Sequence, residues 1–180
     1  PIFHEISDDV FKKIKSDSNF LFVDPQGILR QKDSNNNVIL KKTDLDLSNV
    51  NAIKINPEEG QNLVSGSHDE MMLALQKKGI EYVLLTNKVD VSLLVKNRVY
   101  SLKLPNKHVH DTTGIGDIFC SAFTCTMLKE KDFLWALCFA AGSAQAALES
   151  NNVGLQKIPK KGMVENNASY FYNLVDFRDL

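Results

Sequence analysis

The stretch Asp111-Thr112-Thr113-Gly114-Ile115-Gly116-Asp117-Ile118-Phe119 carries the strongest structural signal in this sequence. A β-type stretch ends near Val109 and an apolar helical pattern begins at about Ile118, so two glycines and an aspartate lie between a strand and a helix. Glycine lets the backbone approach a ligand closely, and the first turn of a helix offers unpaired N–H groups and a partial positive charge. The stretch therefore predicts an anion site, and phosphate is the usual occupant of such sites.

Asp117 would lie beside the anion bound at this site. A carboxylate next to a phosphate is electrostatically unfavourable unless it has a task, and the natural task is to accept a proton from a hydroxyl that attacks the phosphorus. From the short string alone a purely structural alternative stays open, because Asp is a good helix N-cap and Gly-x-Gly is a common turn.

The whole nine-residue string closely resembles the signature of the ribokinase-like (PfkB) carbohydrate kinases, which usually reads Asp-Thr-Thr-Gly-Ala-Gly-Asp-Ala-Phe. Isoleucines 115 and 118 replace two alanines, and every other position matches. The resemblance implies that the backbone of Gly114, Ile115, Gly116 and Asp117 forms the anion hole for the transferring phosphate, with Asp117 as the catalytic base. It also implies nucleotide contacts at Thr112, Thr113 and Gly114.

A second motif, Lys54-Ile55-Asn56-Pro57-Glu58-Glu59, follows a strand predicted over residues 50–55. Asn56 suits an N-cap, Pro57 the first helical position and Glu59 the third position of a capping box, so helix capping alone explains these residues. The same residues resemble the family's Asn-x-x-Glu motif, which implies that Asn56 and Glu59 organise Mg²⁺ and the phosphates, largely through water. Both interpretations can hold, because ligands bind at the carboxyl ends of strands in open α/β sheets.

The sequence departs from the family pattern after the strand that ends at Thr86. Family members usually have Gly-x-x-Gly there, whereas this chain has Asn87, Lys88, Val89 and Asp90. The resemblance implies a nucleotide contact at Thr86, and the missing glycines put the phosphate grip there in question. Asn tolerates left-handed backbone angles, so the first turn could survive the replacement.

The helix predicted over residues 133–149 is apolar almost all round and rich in small residues from Ala140 to Ala147, so it should be buried. Small residues permit close approach either of another helix or of a flat base. The resemblance implies that this helix lines the adenine pocket, with Gly142 as a nucleotide contact. Helix packing by itself would also explain the composition.

The remaining pattern predicts an α/β fold, a mostly parallel sheet with helices on both faces that ends in a hairpin and a helical layer. A strand over residues 20–24 runs into Asp24-Pro25, as strands in the family often do, and residues 33–37 form a polar loop between short strands. The other predicted helices cover residues 7–16, 67–78, 118–129 and 164–174, and the other predicted strands cover residues 82–86, 91–95 and 99–104. Ser67 with Glu70 forms a second capping box, and Lys96-Asn97 is predicted to be a hairpin turn.

Composition bounds the class of protein. The chain has 180 residues, 43% of them hydrophobic, and a net charge of −1, which gives no electrostatic case for a nucleic-acid or membrane partner. Its three cysteines lie in helical apolar patterns and are expected to be buried, and their odd number favours a reducing, cytoplasmic location. His108 and His110 would share one face of an extended segment, but no third ligand has suitable spacing for a metal.

The resemblance covers nearly all of this chain but only the later part of the family's pattern. Residues 1–180 are therefore expected to be the C-terminal nucleotide-binding and catalytic portion of a kinase domain, without the N-terminal part that carries the sugar-contacting residues and a β lid. A homodimer formed through that lid would use the part that is missing here.

The function implied is ATP-dependent, Mg²⁺-assisted phosphoryl transfer to a hydroxyl of a sugar or nucleoside, with Asp117 as base. A competing interpretation is a non-catalytic nucleotide-binding or assembly module that keeps the kinase fold; the altered residues 87–90 favour it and Asp117 opposes it. A third, weaker interpretation makes a hydroxymethylpyrimidine or similar vitamin precursor the substrate.

Overall fold

The computed structural model describes residues 2–105 and 111–180. The end of the predicted strand at Val109 and the His108/His110 pair lie outside these residues. The chain folds into two compact units, the first comprising Pro1–Asn87, Ser92–Val99 and Arg178–Leu180 and the second comprising Lys88–Val91 and Tyr100–Phe177. No helix among the described residues combines the length and apolar character needed to cross a membrane.

The first unit begins with alternating helices and strands. These are α1 (Asp8–Asp17), β1 (Phe22–Val23), α2 (Gln26–Leu29), β2 (Arg30–Lys32), β3 (Val38–Leu40), β4 (Ala52–Ile55), α3 (Pro57–Leu63), α4 (His68–Lys77) and β5 (Tyr82–Thr86). Three further strands, β6 (Asp90–Val95), β7 (Arg98–Lys103) and β8 (Asp176–Asp179), contribute residues to both units. The second unit holds α5 (Ile115–Glu130), α6 (Phe133–Leu148), a 3₁₀ turn (Gly154–Lys157) and α7 (Lys161–Tyr172).

Six strands form one mixed sheet in the order β1-β4-β5-β6-β7-β8. β1, β4 and β5 run parallel, with Val23 opposite Ile53 and Ile55 opposite Leu85. β2 and β3 form a separate antiparallel hairpin around the polar loop at residues 33–37. The predicted α/β fold with a mostly parallel sheet is therefore confirmed.

Local sequence signals account for most helix ends. Ser7 caps α1, and both predicted capping boxes are present, Asn56 with Glu59 on α3 and Ser67 with Glu70 on α4. Each box satisfies two backbone N–H groups that the first helical turn would otherwise leave without an acceptor. Asp132 caps α6 by accepting hydrogen bonds from two backbone N–H groups.

Each unit has its own apolar core. In the first unit, the buried strand residues of β4 and β5 pack with Met72 and Leu75 of α4. In the second unit, α6 packs against both α5 and α7, and its residues from Ala140 to Ala147 are buried throughout. The prediction that α6 is a buried helix is confirmed.

Several boundaries differ from the predictions. The helix expected from about Ile118 begins at Ile115, because Gly114 adopts a left-handed conformation (φ 78°) and turns the chain directly into the helix. The closing helix also begins earlier, at Lys161, and β8 was not predicted. Burial of all three cysteines was expected, but Cys138 alone is buried; Cys120 is half-buried, and Cys125 is exposed because it faces a cavity.

Candidate active site

The first turn of α5, within the second unit, has the geometry that an anion site requires. Gly114 is its N-cap, and the first helical hydrogen bond runs from the Ile118 N–H to the Gly114 carbonyl at 3.0 Å. The Ile115 N–H is used in a turn with the Thr112 carbonyl at 3.3 Å. The Gly116 and Asp117 N–H groups belong to the same first turn, where a helix supplies no carbonyl acceptor, so they can donate to an anion.

Asp117 is the third residue of α5, and its side chain is exposed. The sequence pattern predicted that the helix begins after Asp117, at about Ile118, whereas α5 begins at Ile115 and includes Asp117 in its first turn. This position puts the carboxylate next to the free N–H groups of the same turn. An exposed carboxylate beside a preformed anion site can exchange a proton with a bound hydroxyl group.

A cavity of about 900 Å³ opens beside this turn and is lined entirely by residues of the second unit. The cavity wall includes four residues at or just before the first turn of α5, which are Asp111, Thr113, Gly114 and Asp117. Its apolar wall includes Ile118, Ala122, Phe139, Val153, Leu155 and Ile158. A mainly apolar cavity with a few polar groups at one place is the usual form of a small-molecule site.

Exposed apolar side chains mark the rim of this cavity. Val153, Leu155 and Ile158 are exposed to 68%, 85% and 62%, although large aliphatic side chains are usually buried. All three belong to the segment that joins α6 to α7 and all three line the cavity. Such a cluster is typical of a surface that becomes covered when a ligand binds.

Hydrogen bonds hold residues 111–113, the segment that leads into Gly114. The Asp111 carboxylate accepts a hydrogen bond from the Thr113 N–H at 2.8 Å and is paired with the ammonium of Lys157 at 3.1 Å. Hydrogen bonds from Thr113 and the Lys157 ammonium lower the pKa of Asp111 to about 2. Lys157 was not predicted from the sequence, since nothing in a polar loop 46 residues away marks it as a partner of Asp111.

Gly142 lies at a helix–helix contact. A Cβ atom added there would lie 2.8 Å from the Ala168 nitrogen and 2.9 Å from the Val164 oxygen, both on α7. The cavity wall near this point is formed instead by Phe139, Ser143 and Val164. Of the two interpretations of this small-residue helix, the structure gives direct support to close helix packing.

A second group of predicted site residues lies in the first unit, at the carboxyl ends of its three parallel strands. Asp24 follows β1, Asn56 follows β4 and Thr86 ends β5, and the strand register puts these positions along one edge. The Thr86 hydroxyl donates to the Ile55 carbonyl at 3.4 Å. Carboxyl ends of parallel strands are where ligands bind in open α/β sheets.

Asn56 and Glu59 are joined by reciprocal hydrogen bonds. The Glu59 N–H donates to the Asn56 side chain at 2.8 Å, and the Asn56 N–H donates to the Glu59 carboxylate at 2.9 Å. Burial, which leaves Glu59 only 1% exposed, raises the pKa of its carboxyl group. One carboxylate oxygen is thus used to cap the first turn of α3.

Lys54 supplies a positive charge close to this buried carboxylate. It is itself 8% exposed and forms an ion pair with Asp24 at 2.6 Å. The Lys54 charge lowers the pKa of Glu59, the charge on Asp24 raises it, and burial is the larger effect. The described residues contain no group of three or more His, Cys, Asp or Glu side chains placed to hold a metal directly.

Residues 87–89 form a short connection from β5 to β6, and Lys88 and Val89 are exposed. This is where the sequence lacks the expected glycines. Asn87 was expected to permit a left-handed turn there. Asn87 does not adopt a left-handed conformation in the structure, since its φ is not positive. This connection is therefore built without left-handed backbone.

Comparisons with known proteins identify a family and similar folds. The family model described as pfkB family carbohydrate kinase matches residues 24–161. No curated protein matches the chain in sequence.

Three solved structures have closely similar folds. A pyrophosphate-dependent myo-inositol-1 kinase, converted to a myo-inositol-3 kinase by two substitutions, has a TM-score of 0.77 and 19% identity over 94% of this chain and 60% of its own. A ribokinase-family pyrophosphate-dependent kinase, complexed with a pyrophosphate analogue and myo-inositol, has a TM-score of 0.76 and 19% identity over 91% and 59%. Ribokinase from Thermotoga maritima has a TM-score of 0.70 and 16% identity over 89% and 53%. The chain thus spans at most 60% of the length of these three proteins.

Proposed function

The chain belongs to the pfkB family of carbohydrate kinases, and from this premise we propose that it is the nucleotide-binding and catalytic portion of an enzyme that phosphorylates a hydroxyl of a sugar or related small molecule. The observation that carries the proposal is the placement of Asp117. Its exposed carboxylate lies on the first turn of α5, on the cavity wall and beside N–H groups that can bind phosphate. A module that only binds a nucleotide has no use for a base there.

Asp117 accepts the proton of the acceptor hydroxyl as its oxygen attacks the terminal phosphoryl group of the donor. The backbone of residues 114–117 donates hydrogen bonds to the oxygens of the group in transfer, with the Gly116 and Asp117 N–H groups as the free donors. A positioned base contributes about a hundred- to ten-thousand-fold in rate. One donor to a developing anion contributes roughly a hundred- to thousand-fold.

ATP is the proposed donor, and the cavity beside α5 is the reason. Its apolar wall suits a flat base, and its volume of about 900 Å³ fits the range of about 300–1,000 Å³ that holds small ligands. Thr112, Thr113 and Gly114 would contact the phosphates. Gly142 acts through packing, because it lets α7 approach α6 and so helps to place Phe139 and Val164 on the cavity wall.

Asn56 and Glu59 are the proposed magnesium site. Mg²⁺ keeps several water ligands and needs only one or two carboxylates, so a single Glu59 oxygen with the Asn56 amide nearby fits this ion. When bound, Mg²⁺ would supply neutralisation of phosphate charge. Thr86, at the neighbouring strand end, is proposed as a further phosphate contact.

Pyrophosphate is the second candidate donor. Two of the solved structures are described as pyrophosphate-dependent kinases, and the glycines typical of the family's nucleotide loop are replaced here by Asn87 and Asp90. Pyrophosphate has no nucleobase, so it would leave the apolar cavity empty. Ala122→Phe, which places a bulky ring in that cavity, should raise the KM for ATP while leaving use of pyrophosphate unchanged.

The proposed function is tested with Asp117→Asn, assayed against sugars, nucleosides and myo-inositol with each donor. Asp117→Asn should lower kcat by about a hundred- to ten-thousand-fold with donor binding nearly unchanged. Asp132→Asn is the matched control, because it makes the same change at an exposed N-cap on α6. All variants are made in the full-length enzyme that contains this portion. Wild-type turnover in Asp117→Asn would refute the base assignment, and donor binding without any turnover in the full-length wild type would favour a non-catalytic module.

A further inference from the structure

Lys157 is a buried lysine in an otherwise exposed segment. It ends the 3₁₀ turn Gly154–Lys157, and it is the only buried residue of that turn. Its side chain is 3% exposed, whereas Leu155, two residues earlier, is 85% exposed. The turn is therefore anchored by an ammonium group and not by apolar burial, which is the reverse of the usual arrangement.

The ammonium group donates to three oxygens, all on the segment that leads into Gly114. Its Nζ lies 2.6 Å from the Asp111 carbonyl oxygen, 3.1 Å from an Asp111 carboxylate oxygen and 3.3 Å from the Thr113 carbonyl oxygen. A lysine ammonium has three N–H donors, so the protein itself uses all of them. Lys157 consequently has no donor left for a phosphate in this arrangement, although it lies on the cavity wall.

Burial of the Lys157 charge makes its three hydrogen bonds necessary for the side chain to stay inside the protein. A buried ammonium is strongly unfavourable unless it is paired and hydrogen-bonded, so the three oxygens must stay in place for the side chain to remain inside. The other Asp111 carboxylate oxygen accepts the Thr113 N–H at 2.8 Å, which ties the same segment to itself. The hydrogen bonds from Thr113 and Lys157 hold the pKa of Asp111 at about 2, so this carboxylate stays ionised at physiological pH.

We propose that Lys157 is a positioning residue for phosphoryl transfer, in which its ammonium acts as an internal cation that fixes Asp111–Thr113 and thereby the direction of the first N–H groups of α5. This inference rests on the function proposed above. The contacts connect the segment after α6 to the residues before α5, so one side chain sets where the anion site lies within the cavity wall.

Lys157→Ala removes the ammonium and leaves room for a small amine. We expect kcat/KM to fall by about a hundredfold, since a displacement of about 1 Å in a reacting group has an effect of that size. Ethylammonium should restore part of the loss by occupying the vacated position, whereas tetramethylammonium, which has no N–H donor, should not. If Lys157→Ala does not fold, Lys157→Met, which keeps an apolar stem but has no ammonium, should show the same fall in kcat/KM without rescue by ethylammonium.

Lys15→Met is the matched control. Lys15 is also buried, at 7% exposure, and its ammonium contacts the Asp46 carbonyl and carboxylate and the Ser48 hydroxyl. It therefore holds a loop in the same way but in a segment without any proposed site residue. Its loss should lower the free energy of unfolding and leave kcat/KM unchanged with or without ethylammonium.

Amide hydrogen exchange provides a readout that does not need turnover. The N–H groups of Thr113 and Ile115 are hydrogen-bonded in the wild type and should exchange faster in Lys157→Ala, with protection restored by ethylammonium. Unchanged exchange, or kcat/KM within about twofold of the wild type, would overturn the inference. A full-length wild-type enzyme without kinase activity would refute the proposed function, and the exchange result would then decide separately whether Lys157 holds the loop.

Discussion

Glu59 combines a burial that is unfavourable for folding with its proposed role as a magnesium ligand. Its carboxyl group is almost completely buried, and one oxygen accepts the Asn56 N–H at 2.9 Å. Burial raises the pKa of Glu59, so the folded protein disfavours the charged form, which a metal ligand must have, relative to a carboxylate in water. Glutamine could provide the same capping hydrogen bond without a charge, which separates the two roles.

Glu59→Gln should stabilise the protein at neutral pH and impair catalysis. Because the folded-state pKa lies above the ordinary value of 4.5, Glu59 costs the wild type stability as pH rises through 4.5 and on through the folded-state pKa. The variant has no such loss, so its gain, on the order of 1 kcal/mol, should appear at pH 8 and vanish at pH 4. Urea unfolding at the two pH values measures the gain. A variant that is less stable at pH 8, or that keeps wild-type dependence on Mg²⁺, would contradict this assignment.

The N-terminus of a helix can be a structural feature, a binding feature or both, and two elements of this fold allow the roles to be compared. α3 and α4 both begin with a complete capping box, on Asn56 and Ser67 respectively. The boxes have the same hydrogen-bond pattern, but only α3 starts at the carboxyl edge of the parallel strands, where Thr86 also lies. Position in the sheet, not capping chemistry, distinguishes the two.

Asn56→Ala and Ser67→Ala should therefore have similar effects on stability and different effects on activity. Loss of an N-cap typically lowers the free energy of unfolding by about 1 kcal/mol, and both variants should show this in urea unfolding. Only Asn56→Ala should also lower kinase activity and weaken its dependence on Mg²⁺. Equal activities in the two variants would leave Asn56 as a cap alone.

The contact between α6 and α7 depends on the missing side chain at Gly142. An added Cβ would meet the Ala168 nitrogen and the Val164 oxygen, and these backbone atoms cannot move aside as a flexible side chain can. Gly142→Ala should therefore lower the free energy of unfolding by about 1–3 kcal/mol. Gly162→Ala, in the first turn of α7 with nothing within 4 Å of the added Cβ, is the control and should be neutral or slightly stabilising.

Calorimetry or urea unfolding of the two glycine variants decides this prediction. A wild-type stability for Gly142→Ala would mean that the two helices can separate to accept a methyl group. The cavity wall formed by Phe139 and Val164 would then be adjustable, and a rise in the KM for ATP without loss of stability would be its signature.

The elements that local residues define were predictable from the sequence. Both capping boxes, the Lys96-Asn97 hairpin turn and the apolar helix α6 depend on residues close together in the chain, and each is present. The start of α5 was misplaced because only the left-handed angle of Gly114 shows that the helix begins at once. β8 was missed because all four of its residues are exposed, so it lacks the apolar alternation that marks a strand.

The candidate site divides in the same way. The Gly114–Asp117 turn and the Asn56–Glu59 box are short motifs that could be located from residue type, although the start of α5 relative to Asp117 could not. The cavity and the Lys157 contacts are assembled from segments far apart in the chain, such as Asp111 and Lys157. No periodicity or spacing carries that information, since it depends on how α6 and the following turn pack in three dimensions.

The charge of the whole molecule provides little attraction for an anionic donor. The chain carries a net charge of −1 and has an isoelectric point near 6.5. Lys157 and Lys161, the two lysines on the cavity wall, are paired with Asp111 and Glu165 respectively. Donor affinity should therefore come from backbone N–H groups at the start of α5 and from the apolar cavity, both of which act at short range.

We accordingly expect donor binding to depend only weakly on ionic strength. Raising NaCl from about 50 mM to about 500 mM, at constant free Mg²⁺, should change the Kd for ATP by less than about threefold, because added salt screens mainly exposed charges separated by more than a few ångströms. Calorimetric titration measures this directly, and the Lys161→Met variant should show the same salt dependence as the wild type, since its ammonium is already paired with Glu165 at 3.3 Å. A tenfold or greater loss of affinity in the wild type that is absent from Lys161→Met would instead make that lysine a phosphate contact.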